Sequence, residues 1–154
     1  MLSENDKAPS FKLLDQHEKS VSLSDFKGRW LLIYFYPKDN TPGCTKEACT
    51  IQENLSQFNK LQLAVVGVSP DSVDKHQKFA DKYQLKFSLL ADTEKEMSQA
   101  YGVWGMKKFM GREYMGVNRM SFLIDPKGKI AKVYPKVKPA EHATEVLTDY
   151  QSFK

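Results

Sequence analysis

Cysteine is scarce in this chain, with two residues among 154. Two are too few for a disulfide framework. In a reducing compartment a close pair reads as catalytic, redox-active or metal-binding rather than as a scaffold. Histidine is scarce as well. His17, His76 and His142 are far apart in sequence, and with a Cys-x4-Cys pair they give no recognisable four-ligand zinc set, so neither a metal nor another cofactor is expected. Long apolar runs are missing. The longest, Trp30 to Tyr36, falls far short of the ~20 residues that a membrane helix needs. The stretch Met1 to Asp6 is polar and lacks a signal-peptide core, which gives the expectation of a cytoplasmic protein without membrane contact. Charge of one sign is in small excess, with 23 Lys and Arg against 19 Asp and Glu. The basic residues are scattered, and the short clusters Lys107-Lys108 and Lys136-Val137-Lys138 predict a solvated mixed surface rather than nucleic-acid binding. No repeat or low-complexity tract divides the chain, so 1–154 reads as a single domain, long enough to bury roughly 68–70% of its unfolded surface without a cross-link.

What is present is an alternation of strand and helix patterns. Lys12 to Leu14 and Ser20 to Ser22 flank a polar turn and predict an N-terminal β-hairpin. Arg29 to Tyr36 and Gln62 to Ser69 read as strands buried on both faces. Pro42 to Lys60 has helical spacing throughout, and Ser72 to Tyr83 is a helix with Ser and Asp at its start. Phe87 to Leu90 predicts a short strand and Thr93 to Tyr101 a short helix. Gly102 to Asn118 is expected to be a long irregular loop. Met120 to Asp125 and Lys129 to Tyr134 are strands around an Asp-Pro-Lys-Gly turn, and Pro139 to Tyr150 is a closing helix. A β-α-β unit followed by β-β-α predicts an α/β, thioredoxin-like three-layer fold with a mixed central β-sheet and an N-terminal β-hairpin.

The chemistry points to the segment Pro37-Lys38-Asp39-Asn40-Thr41-Pro42-Gly43-Cys44, directly after the first buried strand. Pro42 suits the first helical turn, and Thr41 is then the N-cap. Cys44 falls in that turn, where backbone N–H groups and the helix dipole favour a thiolate, the reactive form of cysteine. Residues 44, 48, 51, 55 and 58 form the apolar stripe of the helix, with Cys44 at its N-terminal end. Residues 45, 49, 52 and 56 form the polar face, an unusual place for a cysteine that merely packs. Five helical residues separate Cα atoms by roughly 8.6 Å. A disulfide needs about 4.4–6.8 Å. A Cys44–Cys49 bond therefore requires the first turns to unwind, and Gly43 would ease that. Two incidental buried cysteines remain the alternative.

At these residues the chain resembles a known family. Pro37-x-x-x-Thr41-x-x-Cys44 is similar to the active-site signature of the peroxiredoxins. The longer stretch Asp39 to Cys49 resembles their bacterioferritin comigratory protein, or peroxiredoxin Q, subfamily, as does the strand Asn118 to Asp125. The resemblance runs from Ala8-Pro9-Ser10-Phe11 to the terminal helix. It implies that Cys44 is the peroxidatic cysteine, which attacks hydrogen peroxide or an organic hydroperoxide and becomes a sulfenic acid. It implies that Cys49 resolves this acid as an intramolecular disulfide. Thr41 would hydrogen-bond the thiolate and the peroxide, Arg119 would hold the thiolate charge and polarise the peroxide, and Pro37 would shield the site. Thioredoxin or a similar dithiol would recycle the disulfide, and the chain would be a monomer or a weak homodimer.

Each residue also has a plainer reading. Arg119 could form a surface salt bridge, Thr41 could only cap its helix, and Pro37 could only end a strand. Arg112 and Tyr114 are further polar candidates in the expected loop. Trp104, Met106, Phe109, Met110 and Met115 in that loop could form a collar for apolar peroxide tails or an oligomer patch, although a loop folding its own side chains over the core is the simpler expectation. Two other functions fit less well: a peroxide sensor that oxidises a partner protein, and a non-catalytic binding module.

Overall fold

The computed structural model describes residues 2–153, and of Phe109 only the backbone. Strands β1 (Lys12–Leu14) and β2 (Ser20–Ser22) form the expected antiparallel hairpin. The central sheet has the order β5-β4-β3-β8-β9. In its middle, β3 (Trp30–Phe35) runs parallel to β4 (Leu63–Ser69), which runs parallel to β5 (Ser88–Ala91). On the other side of β3 lie β8 (Met120–Ile124) and β9 (Ile130–Tyr134), both joined antiparallel. The sheet is therefore mixed, as the alternation of elements predicted.

Burial on both faces of β3 follows from its lack of polar residues. Leu32, Tyr34 and Tyr36 point into one core, shared with helices α1 (Pro42–Glu53), α2 (Leu55–Lys60), α3 (Val73–Tyr83) and α5 (His142–Ser152). Leu31, Ile33 and Phe35 point into a second core, closed by the N-terminal segment and by helix α4 (Glu96–Ala100). Each of these fully buried side chains contributes about 1.5–3 kcal/mol by leaving water. The stripe Cys44, Ala48, Ile51, Leu55 and Phe58 is buried along its whole length, as its spacing required.

Two elements differ from expectation. The helix expected over Pro42 to Lys60 is broken at Asn54, whose φ and ψ are −102° and 6°. Its side-chain amide donates to the Thr50 carbonyl at 2.8 Å, a local bond that competes with helix continuation. The loop expected over Gly102 to Asn118 is instead a β-hairpin of β6 (Trp104–Phe109) and β7 (Arg112–Val117). Met110 and Gly111 form its two-residue turn with φ of 52° and 78°, the pair of positive values a tight hairpin turn demands. Val103, Trp104 and Val117 at its base pack on the second core, while Met106, Met110 and Met115 stay exposed.

Candidate active site

The tip of β3 delivers the chain to α1. Tyr36 is still held to the sheet by its N–H, which donates to the Val68 carbonyl at 3.0 Å. After Pro37 the chain turns, and Thr41 takes the extended N-cap conformation ahead of Pro42. The Thr45 N–H donates to the Thr41 carbonyl at 2.8 Å and closes the first turn around Cys44. Cys44 is 1% exposed and is a free thiol.

Arg119 arrives from a different element. It immediately precedes β8, whose first residue Met120 pairs with Phe35 at the end of β3, so strand register brings the guanidinium to the start of α1. Nη2 donates to Cys44 Sγ at 3.2 Å, and Nη1 donates to Glu47 Oε1 at 2.6 Å. Burial works against the Arg119 charge, but the nearby Cys44 and Glu47 more than offset it and raise its pKa above the ordinary value. Arginine stays charged in any case, so a fixed cation rests against the sulfur.

Gly43 gives this approach room. A Cβ built there would lie 3.1 Å from Arg119 Nη2, closer than ordinary packing allows. The sequence suggested a glycine that eases unwinding. The structure adds a reason of space.

Glu47 was not foreseen. It is fully buried, and burial pushes its carboxyl from 4.5 up to about 7, while Arg119 pulls the other way. Its second oxygen, Oε2, has no hydrogen-bond partner among the described residues. A signal existed in the sequence. Residue 47 stands three after Cys44 and one before Ala48, so an acid sits on the apolar stripe, where only a partner would justify it.

The other expected site residues are placed as follows. Thr41 is the N-cap by backbone only; its hydroxyl donates to the Lys38 carbonyl at 2.8 Å, neither to the helix nor to the sulfur. Among the described residues no hydrogen bond joins Thr41 Oγ1 to Cys44 Sγ. Pro37 is half-buried between β3 and α1. Cys49 is half-buried and also a free thiol, and burial, with Glu53 adding to it, pushes its pKa up. Helix α1 runs without a break through both cysteines, so the two sulfurs stand on different turns. Arg112 and Tyr114 are exposed on β7 and make no hydrogen bond to Cys44 among the described residues. Lys107, across from Tyr114, donates to the Val117 carbonyl at 2.9 Å. Burial, and then Arg119, lower its pKa while Cys44 raises it, so the base of the hairpin shares the field of the site.

Among the described residues one cluster has metal-ligand chemistry, Asp39, Asp71 and His76, and it includes neither cysteine. Protein partners already occupy it: His76 bonds Asp39 and the Leu90 carbonyl, and Asp71 bonds Ser69 and the Asp39 N–H. No helix among the described residues is long and apolar enough to cross a membrane.

An arginine-held sulfur at a helix start, beside a strand tip, can act as a nucleophile toward an electrophilic oxygen. Comparison with known proteins agrees. The AhpC/TSA family pattern matches residues 5–133. Peroxiredoxin Bcp of Bacillus subtilis is 48% identical over 141 residues, which cover 92% of this chain and 90% of that one. A cysteine mutant of Xylella fastidiosa peroxiredoxin Q superposes with a TM-score of 0.94 at 32% identity, covering 99% of this chain and 98% of that one. The Xanthomonas campestris bacterioferritin comigratory protein, for which alkyl peroxide reduction activity is described, gives a TM-score of 0.88 at 35% identity over 93% and 91% of the two chains. The chain belongs to the AhpC/TSA family and is a peroxiredoxin, an oxidoreductase of the kind that includes the Bcp and Q proteins.

Proposed function

We propose that this peroxiredoxin reduces hydrogen peroxide and organic hydroperoxides to water and alcohols, with Cys44 as nucleophile and Cys49 as resolving thiol. The observation that carries the reading is the 3.2 Å contact from Arg119 Nη2 to Cys44 Sγ in the first turn of α1. The alkyl peroxide activity described for the Xanthomonas campestris relative supports an organic substrate.

The Cys44 thiolate attacks one peroxide oxygen, forming an S–O bond while the O–O bond breaks. The electron pair leaves with the departing oxygen as alkoxide or hydroxide. A proton from solvent then gives alcohol or water, and Cys44 is left as sulfenic acid. Negative charge passes from sulfur to oxygen, and a fixed guanidinium within reach of both stabilises the transfer. The Thr41 proton is committed to Lys38, so its oxygen is free to accept the peroxide O–H and to orient the substrate. Pro37 covers the strand side and keeps water away.

In the second step the Cys49 sulfur displaces hydroxide from the sulfenic sulfur. With a proton this leaves as water, and a Cys44–Cys49 disulfide forms. Residues 44–49 must leave the helix for that to happen. Thioredoxin, or another dithiol protein, supplies the two electrons that restore both thiols. A thiol that must return to its reduced form between turnovers suits the cytoplasm. The test is a coupled assay in which peroxide, thioredoxin and its reductase are supplied together. The expected result is peroxide-dependent oxidation of thioredoxin. Peroxide consumption with no thioredoxin oxidation would overturn the recycling step, and no consumption at all would overturn the reading.

A further inference from the structure

Residues 36–41 belong to no regular element, yet they carry Pro37 and Thr41 and set where α1 begins. A surface connection of this length would ordinarily be mobile. Here it is tied down by a buried hub centred on Asp39. Asp39 Oδ1 accepts from the Tyr36 hydroxyl at 2.6 Å, and Oδ2 lies 2.6 Å from His76 Nδ1. The Asp39 N–H donates to Asp71 Oδ2 at 2.8 Å, and the same oxygen accepts from Ser69 Oγ at 2.7 Å. His76 is fully buried on α3, with Nε2 2.9 Å from the Leu90 carbonyl. That carbonyl can only accept, so Nε2 carries a hydrogen and a proton lies between Nδ1 and the Asp39 carboxyl. The next residue, Asn40, sits at φ 61° and receives Lys82 Nζ at 3.3 Å and the Tyr83 hydroxyl at 3.2 Å.

Apart from the Tyr36–Asp39 bond within the segment, these bonds reach back to β4, the β4–α3 connection, β5 and α3. None involves a residue of α1. The helix itself is held more by apolar packing than by side-chain hydrogen bonds. Thr41 gives α1 no side-chain cap. Beyond Arg119, the side-chain hydrogen bonds from α1 to other elements are those of Thr50 to the Pro139 carbonyl, 3.2 Å, and Gln52 to the Lys86 N–H, 2.7 Å. The two sides of Cys44 are thus held by independent sets of contacts.

We infer that Asp39 and His76 are positioning residues, a buried pair that holds residues 37–41 still while α1 unwinds and refolds around Cys44. The inference rests on the Cys44–Cys49 reading above. Opening the helix breaks solvent-adjacent backbone bonds, whereas opening the hub would strand a buried polar pair. The break therefore falls at Pro42 and Gly43, a residue without an N–H followed by one without a Cβ. On closing, the hub returns Thr41 and the start of α1 to their places opposite Arg119. The pair acts on the peroxide step, through Thr41 and Cys44, and not on the thiol exchange that follows.

That asymmetry is the test. Three full-length variants are compared with wild type: His76→Leu, the double variant Asp39→Ala/His76→Leu, which removes both ionisable members of the buried pair together, and the conservative Asp39→Asn, which keeps a hydrogen-bond partner for His76. Rapid-quench mass spectrometry follows sulfenic acid and then disulfide. The expected result is a peroxide step slowed about tenfold or more in the first two, with disulfide formation at least as fast as in wild type. Asp39→Asn is expected to recover most of the loss, which a role in stability alone would not produce. Hydrogen exchange is read in parallel, and amides 38–44 are expected to lose protection while those of β4 and β5 keep theirs. A folded double variant with both steps within roughly twofold of wild type and unchanged exchange at 38–44 would overturn the inference. If wild type forms no Cys44–Cys49 bridge, the disulfide reading falls, and the exchange measurement alone still decides for or against the pair.

Discussion

Cys44 and Cys49 stand on one helix, five residues apart, in opposite surroundings. Cys44 is buried in the first turn, with a guanidinium 3.2 Å from its sulfur. Cys49 lies further along, half-buried, with a pKa pushed up by burial and by Glu53 against a smaller pull from Lys46. The residue type is the same, and the neighbours divide the labour. On the proposed reading, the sulfur that attacks first is placed where negative charge is welcome, and the one that follows has surroundings that favour its thiol.

The sharpest way to break this comparison is to remove each sulfur in turn. Cys44→Ser is expected to lower peroxide turnover about 10³-fold or more, because no other described group takes its place. Cys49→Ser is expected to keep a full first turnover, seen as one equivalent of sulfenic acid trapped by a carbon nucleophile, and to lose thioredoxin-coupled cycling. Equal effects of the two substitutions on the first turnover would erase the distinction.

Arg119 comes next. Arg119→Leu removes the donor to the sulfur and is expected to slow single-turnover oxidation of Cys44 about 10²-fold, with Arg119→Lys intermediate because a point charge lacks the two-pronged reach to Cys44 and Glu47. Stopped-flow rates for the three proteins decide this, and a loss below about threefold in Arg119→Leu would remove the guanidinium from the mechanism.

Glu47 gives a smaller effect, read in stability. In the unfolded chain it ionises near 4.5, and in the fold it keeps its proton to about 7. Between these values the folded state binds more protons than the unfolded one, so this group makes stability fall as pH rises through that window and adds no further change above it. Glu47→Gln removes the fall. Urea unfolding at pH 5 and pH 8 is expected to show wild type losing about 2–3 kcal/mol more than the variant over that interval. Identical pH dependence in the two proteins would show that Glu47 ionises normally.

The smallest expected change comes from Gly43→Ala. Its new methyl would meet Arg119 Nη2 at 3.1 Å. A shift of the guanidinium by a few tenths of an ångström is expected to slow Cys44 oxidation roughly threefold to tenfold while leaving the fold intact. Full activity with unchanged circular dichroism would mean that the arginine has slack at this point.

The fold was largely legible because its strongest signals are local. The uninterrupted apolar run of β3, the stripe from Cys44 to Phe58 and the cap at Ser72, whose hydroxyl accepts from the Lys75 N–H at 3.2 Å, each announce one element. The β6–β7 hairpin was not legible. Gly105 and Gly116 face each other across it, Met106 faces Met115, and Lys, Arg and Glu fill much of the rest, so Trp104, Phe109, Tyr114 and Val117 are scattered among weak strand formers without a regular alternation. The break at Asn54 depends on a side-chain bond that spacing does not reveal. In the site, Cys44 and Thr41 follow from their place at a helix start. Arg119 needed the family resemblance, since 75 residues separate it from Cys44 and only the register of β8 on β3 joins them. Asp39 and His76, 37 residues apart, belong to the same class of tertiary partner.

The most direct test of the account is the fate of the two sulfurs after one equivalent of peroxide, read by mass spectrometry of the intact chain and its peptides. The account predicts the loss of two hydrogens and a single cross-linked peptide pair joining Cys44 to Cys49 within one chain. Two unmodified thiols beside consumed peroxide, or a bridge joining separate chains, would contradict it.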